Sequence, residues 1–167
     1  MGLGTLYYKM IDRQYYKDIP LGVLLLNWIV QRVFGINKEY KYSVNYTSRI
    51  NGARHLNVIG DKSKLSLIVS GGCYFSCHKA SITIGENTIF ANNVTVVSNN
   101  HDLSNKDKYI AKPVIIGNGC WLGAGVTVLP GVILGDNIAV GANSVVTKSF
   151  PKNTVIAGNP AKVIKTL

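Results

Sequence analysis

Three histidines and three cysteines carry most of the chemistry open to this chain of 167 residues, and their spacing separates the options. His55, His78 and His101 are widely and evenly spaced, so no H-x4-H pair exists to bring two imidazoles to one metal ion. Cys73, Cys77 and His78 share the stretch CYFSCH, but C-x3-C-H matches no common zinc spacing and no second pair follows. Side chains alternating along a strand account for it, and no metal is expected. His101 differs because it ends a regular repeat. An imidazole with a pKa near 6.5 can accept a proton at neutral pH, which makes such a histidine a candidate general base. Taken alone it is read equally well as an ordinary surface-loop histidine.

The repeat is the element that must position it. Aliphatic residues recur every six positions at Ile116, Leu122, Val128, Leu134, Val140 and Val146, and a second set in the same frame starts at Ile84, Phe90 and Val96. A helix would rotate successive members of such a series by about 240 degrees and scatter them over its surface. Short strands keep them on one face, since six is a multiple of the strand period of two. Gly or Asn beside the aliphatic supplies the backbone angles of a corner. The implied architecture is a solenoid in which each aliphatic stacks about 4.8 Å from its counterpart. The interval from Ile84 to Ile116 is not a multiple of six, so an insertion lies between them. The polar stretch DLSNKDKYIAKP, closed by Pro113, is that loop, and His101 stands at its start.

Composition agrees with one main domain: hydrophobic residues make up 47% and charged residues 16%, with 17 glycines in a Val/Ile-rich chain. The formal charge of +10 fits an anionic ligand, a nucleic acid or an anionic membrane surface. No nucleic-acid motif and no cluster of aromatics among the basic residues is present, so nucleic acid is not expected as a partner. Three cysteines, and no long apolar core in MGLGTLYYKMIDRQYY, suit a reducing, cytoplasmic setting.

These hexads resemble the hexapeptide-repeat acyltransferases over residues 81–167, and most closely the galactoside, maltose and nodulation sugar O-acetyltransferase subset. The resemblance implies an all-β fold, a left-handed parallel β-helix with three hexads per turn, with a loop protruding after a catalytic histidine, here His101. It implies acetyl-CoA as co-substrate, a carbohydrate acceptor and a homotrimer whose sites lie between subunits. Counted from the tryptophan of GNGCWLGAGV, Trp121 would flank the pantetheine arm, Ala124 and Ala142 would lie beside it, and Thr147 and Lys148 would contact the cofactor. Lys162 would face the nucleotide phosphates. The charge pattern supports this independently, because no acidic residue follows Asp136 while Lys148, Lys152, Lys162 and Lys165 do.

The chain departs from the subset on the acceptor side. Where galactoside-type members carry an aspartate and an asparagine, Lys79 and Gly71 stand here. Lys79 points to an anionic acceptor such as a sialic acid, a uronic acid or a nucleotide-linked sugar, with Asp102 of the His-Asp-Leu loop as its companion. The resemblance also stops short of the first fifty residues, read as an N-terminal helical cap (1–50) before a β-helix domain (51–167). DIPLGVLLLNWIVQRVFGI starts a helix at Asp18 and Pro20 that is apolar on nearly all faces and too short to span a bilayer. It is expected to pack on the β-helix end or a neighbouring subunit. The competing expectation lays residues 20–36 in the inner membrane interface, with Lys17, Arg32, Lys38 and Lys41 near lipid phosphates.

The expected activity is acetyl transfer from acetyl-CoA to a sugar hydroxyl in bacterial surface polysaccharide biosynthesis, with N-acetylation of an amino or nucleotide-linked sugar as the alternative. The γ-class carbonic anhydrases share the fold but need three histidines around zinc, two of them five residues apart. A silent polyanion-binding β-helix is the remaining rival, and it would lose affinity steeply with salt.

Overall fold

A computed structural model describes residue 16 and residues 19–167. Short strands joined by tight corners follow the hexads. Along the chain they are β1 (Arg49–Asn51), β2 (Leu56–Val58), β3 (Tyr74–Ser76), β4 (Ile82–Ile84), β5 (Ile89–Phe90), β6 (Thr95–Val97), β7 (Asn99–His101) and β8 (Tyr109–Ala111). There follow β9 (Val114–Ile116), β10 (Trp121–Leu122), β11 (Thr127–Val128), β12 (Ile133–Leu134), β13 (Ala139–Val140), β14 (Val145–Val146), β15 (Thr154–Gly158) and β16 (Ala161–Thr166). Apart from the β7–β8 hairpin they form three sheets: β1-β3-β6-β11-β14, β2-β4-β9-β12, and β5-β10-β13-β15 with β16 added antiparallel. All other pairings within the three sheets are parallel. The chain visits the sheets in rotation, and the result is a left-handed parallel β-helix of triangular section.

The register confirms three hexads per turn: Val128 pairs with Val146, Ile116 with Leu134 and Leu122 with Val140, each aliphatic meeting the third one after it. All nine marked aliphatics are buried in one core. A second inward column at the fifth hexad position, including Val94, Cys120, Val126, Val132 and Ile138, completes the packing.

The corners correct one expectation. In seven of the nine hexads the residue in the left-handed region is the fourth, not the one beside the aliphatic: Asn87, Asn93, Gly119, Gly125, Gly131, Asn137 and Asn143, with φ between 57° and 82°. Glycine directly after the aliphatic serves close approach between turns. A Cβ on Gly117 would stand 2.7 Å from the Gly135 backbone, and one on Gly85 would stand 2.6 Å from that of Gly117. These three form a column down one edge.

Within the segment read as β-helix, residues 61–69 form a helix instead of a strand. α1 (Leu21–Trp28) continues in a π-helical turn over Ile29–Val33, and α2 (Asp61–Val69) lies along β5, the free edge of the third sheet. An edge strand leaves backbone groups unpaired. Serines of and after α2 supply the partners. Ser63 Oγ accepts from the Thr88 N–H and donates to the Gly85 carbonyl, Ser66 Oγ accepts from the Phe90 N–H, and Ser70 Oγ donates to the Phe90 carbonyl. At the β1 edge Asn37 does the same, accepting from the Ile50 N–H and donating to the Ser48 carbonyl.

Pro20 holds the N-cap position of α1, while Asp18 and Lys17 lie outside the described residues. This helix buries Leu24 with Ile19 and Ile68, but polar side chains share its inward side. Its buried positions include Asn27 and Gln31. Asn27 Nδ2 donates to the Ile68 carbonyl and its Oδ1 accepts from the Tyr46 N–H, while Gln31 Nε2 lies within bonding distance of the carbonyls of Asn37, Tyr40 and Tyr42. Residues 37–48 belong to no sheet ladder; Gln31 serves three of their carbonyls instead, and Asn27 takes the Tyr46 N–H. Leu21, Leu25, Leu26, Val33 and Phe34 are left facing out.

The candidate active site

Ile116 pairs with Leu134 at the regular interval of three hexads, whereas Ile84 pairs with Ile116 across a longer stretch, so the turn between those two carries the insertion. The inserted segment is a β-hairpin, not an irregular loop. β7 and β8 pair antiparallel, with His101 directly opposite Tyr109. Polar side chains shape its tip: Asp102 Oδ1 accepts from the N–H and hydroxyl of Ser104, and Asn105 Oδ1 accepts from the Asp107 N–H. The Ser104 bonds hold the Asp102 carboxyl below the usual carboxylate range.

His101 Nδ1 lies 2.5 Å from the Lys106 carbonyl oxygen. A carbonyl only accepts, so in the neutral ring Nδ1 carries the proton and Nε2 keeps its lone pair. The imidazole is therefore held as the tautomer that can take a proton at Nε2, on an exposed hairpin where a substrate can reach it. Its ring also lies against that of Tyr109, with centroids 4.6 Å apart. Lys79 Nζ sits 5.5 Å from the same ring's centroid, and the His78 ring stands perpendicular to it at 5.5 Å. Tyr109, His78 and the Lys106 carbonyl were not legible as site members. Knowing that residues 99 to 111 form a hairpin would have placed Tyr109 opposite His101.

The other candidates fall on two edges of the prism. Trp121, 57% exposed, faces outward on the third sheet between Ile89 and Ala139. Ala124 and Ala142 are exposed one turn apart on the corner leading from that sheet to the first, where the Asn143 N–H donates to the Ala124 carbonyl. Lys162 is exposed on β16 of the same sheet, opposite Ala157. Thr147 and Lys148 are exposed on the corner from the first sheet to the second, the corner that also bears the His101 hairpin. One chain thus gathers His101 and Lys79 around Tyr109, with Asp102 next to the histidine in sequence, but does not bring Trp121 to them.

Residues 113–148 match the model for the hexapeptide repeat of succinyl-transferase. That segment of the chain carries the hexapeptide repeat. A candidate lipopolysaccharide biosynthesis O-acetyl transferase of Escherichia coli K12 is 45% identical to it over 98 residues, covering 51% of this chain and 50% of that protein. A maltose O-acetyltransferase of Clostridium difficile 630 superposes with a TM-score of 0.54 at 34% identity, over 73% of this chain and 60% of that one. A hexapeptide-repeat acetyltransferase of Vibrio cholerae, solved with acetyl coenzyme A, superposes with a TM-score of 0.66 over 92% of this chain and 90% of its own. At 21% identity that likeness concerns the fold alone. The hexapeptide-repeat chain spans about half the length of the curated relatives it matches.

Its three cysteines are free and buried. Burial pushes the Cys77 thiol up to about 12 and raises Cys73 and Cys120 as well. Among the described residues no group of three or more His, Cys, Asp or Glu side chains is placed to hold a metal ion. A thiol needs its thiolate to react. A maleimide at neutral pH should therefore label none of the three in the folded protein and all three in denaturant, as read by intact mass. Fast labelling of the native chain would contradict this burial.

Proposed function

We propose that this protein is an acetyl-CoA-dependent O-acetyltransferase that modifies a sugar hydroxyl in bacterial surface polysaccharide biosynthesis. The observation that carries the reading is the contact of His101 Nδ1 with the Lys106 carbonyl, which favours the tautomer whose lone pair is on Nε2. In this reaction Nε2 takes the proton of the acceptor hydroxyl as its oxygen attacks the thioester carbonyl. The C–O bond forms, the tetrahedral intermediate collapses with loss of the C–S bond, and the proton passes to the departing CoA sulfur. No covalent enzyme intermediate is needed. Trp121, Ala124 and Ala142 line the pantetheine arm, Thr147 and Lys148 contact the cofactor, and Lys162 faces its phosphates. Lys79 and Asp102 stand on the acceptor side. The division of these residues between two prism edges supports a homotrimer in which one chain's hairpin meets its neighbour's third sheet. N-acetylation of an amino sugar uses the same base and is the alternative reading. Thiol release from acetyl-CoA, measured against neutral, amino and acidic sugars, tests the proposal. Acceptor-dependent release supports it, whereas failure to bind acetyl-CoA at all ends it.

The outward side of α1 and its π-turn supports, as part of this proposal, a peripheral position at the inner membrane face. Phe34 is 70% exposed and Val33 63%. They lie beside Arg32 and Lys38, which with Lys41 have no carboxylate partner among the described residues. No helix among the described residues is long and apolar enough to cross a membrane. Apolar side chains bracketed by cations suit the interface of an anionic bilayer, where each Lys or Arg contributes about 1 kcal/mol. The protein should pellet with phosphatidylglycerol vesicles and not with phosphatidylcholine vesicles, and Phe34→Asp should abolish pelleting. Absence of pelleting with either lipid, together with a smaller oligomer for Phe34→Asp, would assign this face to a second copy instead.

A further inference from the structure

We infer that Lys79 selects an acceptor sugar carrying an anionic group near the hydroxyl to be acetylated, and that Tyr109 is the positioning residue that fixes this charge relative to the base. The inference rests on the reading of His101 as that base. Lys79 belongs to the connection between β3 and β4, whereas His101 belongs to the hairpin inserted one turn later. Both connections lead from the first sheet to the second in successive turns, so the repeat sets them on one edge. Tyr109 brings them together: its ring lies 4.6 Å from the His101 ring and 5.5 Å from Lys79 Nζ. Both groups touch one ring, so the ammonium and the imidazole are spaced on the scale of one sugar residue.

The environment of the ammonium lacks a protein counter-charge. Lys79 is exposed and, among the described residues, within ion-pair distance of no carboxylate. Asp102, adjacent to the base, already accepts two hydrogen bonds from Ser104. A cation left open beside a general base favours an anion on the substrate, and an ammonium serves a carboxylate or a phosphate equally as a point charge. His78 closes the inner side of the cluster. Its ring meets Tyr109 at 86°, and its buried Nδ1 has no hydrogen-bond partner. The edge-to-face contact packs that imidazole against Tyr109 and braces its ring.

Steady-state kinetics with a uronic acid, a nucleotide-linked sugar and a neutral sugar separate carboxylate, phosphate and uncharged acceptors. The wild type should prefer one of the anionic arms. Lys79→Ala should raise KM for that acceptor at least about tenfold, leaving kcat and the acetyl-CoA KM unchanged. Tyr109→Ala should lower kcat and raise the acceptor KM together, while Tyr109→Phe restores both, because the ring and not the hydroxyl makes the contacts. Loss of fold would instead lower the melting temperature and disturb acetyl-CoA binding. Equal use of neutral and anionic sugars, or an acceptor KM that Lys79→Ala leaves unchanged, overturns the inference. An active His101→Ala would instead remove the base reading on which it rests.

Discussion

Replacing His101 by Ala should lower kcat by about 10² to 10⁴-fold, the usual contribution of a positioned general base, while acetyl-CoA affinity stays within twofold of wild type. The two quantities separate because His101 stands on the hairpin, whereas Trp121, Ala124 and Ala142 stand on another edge of the prism. The side chain is exposed and outside the β-helix core, so its removal leaves no cavity. Loss of turnover at unchanged melting temperature is therefore a statement about chemistry. His101→Gln makes the same point with less change of shape. Calorimetric titration of acetyl-CoA beside initial-rate kinetics checks both halves, and wild-type turnover in either variant would remove His101 from the reaction.

The second large effect is on stability, and it separates two glycines of a single hexad. Gly117→Ala should destabilise the protein by about 3 kcal/mol, because the new Cβ would stand 2.6 Å from Asp136 Oδ1 and 2.7 Å from the Gly135 backbone. The neighbour is backbone in the next turn, so relief requires the two turns to part. Gly119 has open space around it but a φ of +65°. Gly119→Ala should cost about 1 kcal/mol, the ordinary penalty for a Cβ in the left-handed region. Gly119→Asn should be nearly neutral, since Asn87 and Asn137 hold the same conformation at the equivalent corners before and after it. Melting temperatures order the three variants: a fall of roughly 10 °C for Gly117→Ala against a small one for Gly119→Asn. Equal effects at both positions would mean that the turns are not packed as described.

The contrast between these glycines shows where the amino-acid pattern is informative. The β-helix was legible because burial enforces the aliphatic of every hexad, from Ile84 to Val146, and a mismatch at any one would leave an apolar gap in a continuous column. The corner residue is harder to place because Gly serves both needs. Only the Asn residues at the fourth position reveal which site requires the left-handed backbone, since Asn tolerates it and does not fit the crowded second position. α2 was hidden for a different reason. Its serines satisfy β5, distant in sequence, and no local period records a bond between Ser63 and Thr88.

The N-terminal helix was legible as an element but not in its orientation. A stretch apolar on nearly all faces names no inward side. What decides the matter is that residues 37–48 have no ladder partners, and Gln31 is placed to bond their carbonyls while Asn27 accepts the Tyr46 N–H. The candidate site was half legible in the same sense. The break in the beat located His101 and its loop, whereas the partners that give the imidazole its tautomer and its neighbours, the Lys106 carbonyl and Tyr109, belong to a hairpin whose antiparallel register is invisible to a six-residue period.

The central claim is that acetyl passes from CoA to a hydroxyl with His101 as base, and its most direct test is the product itself. Acceptor sugars incubated with acetyl-CoA and the wild-type or His101→Ala protein would be analysed by mass spectrometry before and after hydroxylamine. The account predicts one added acetyl group with wild type only, removed by hydroxylamine as an ester is. An acetyl group that survives hydroxylamine, or one that His101→Ala installs as fast as wild type, would contradict it.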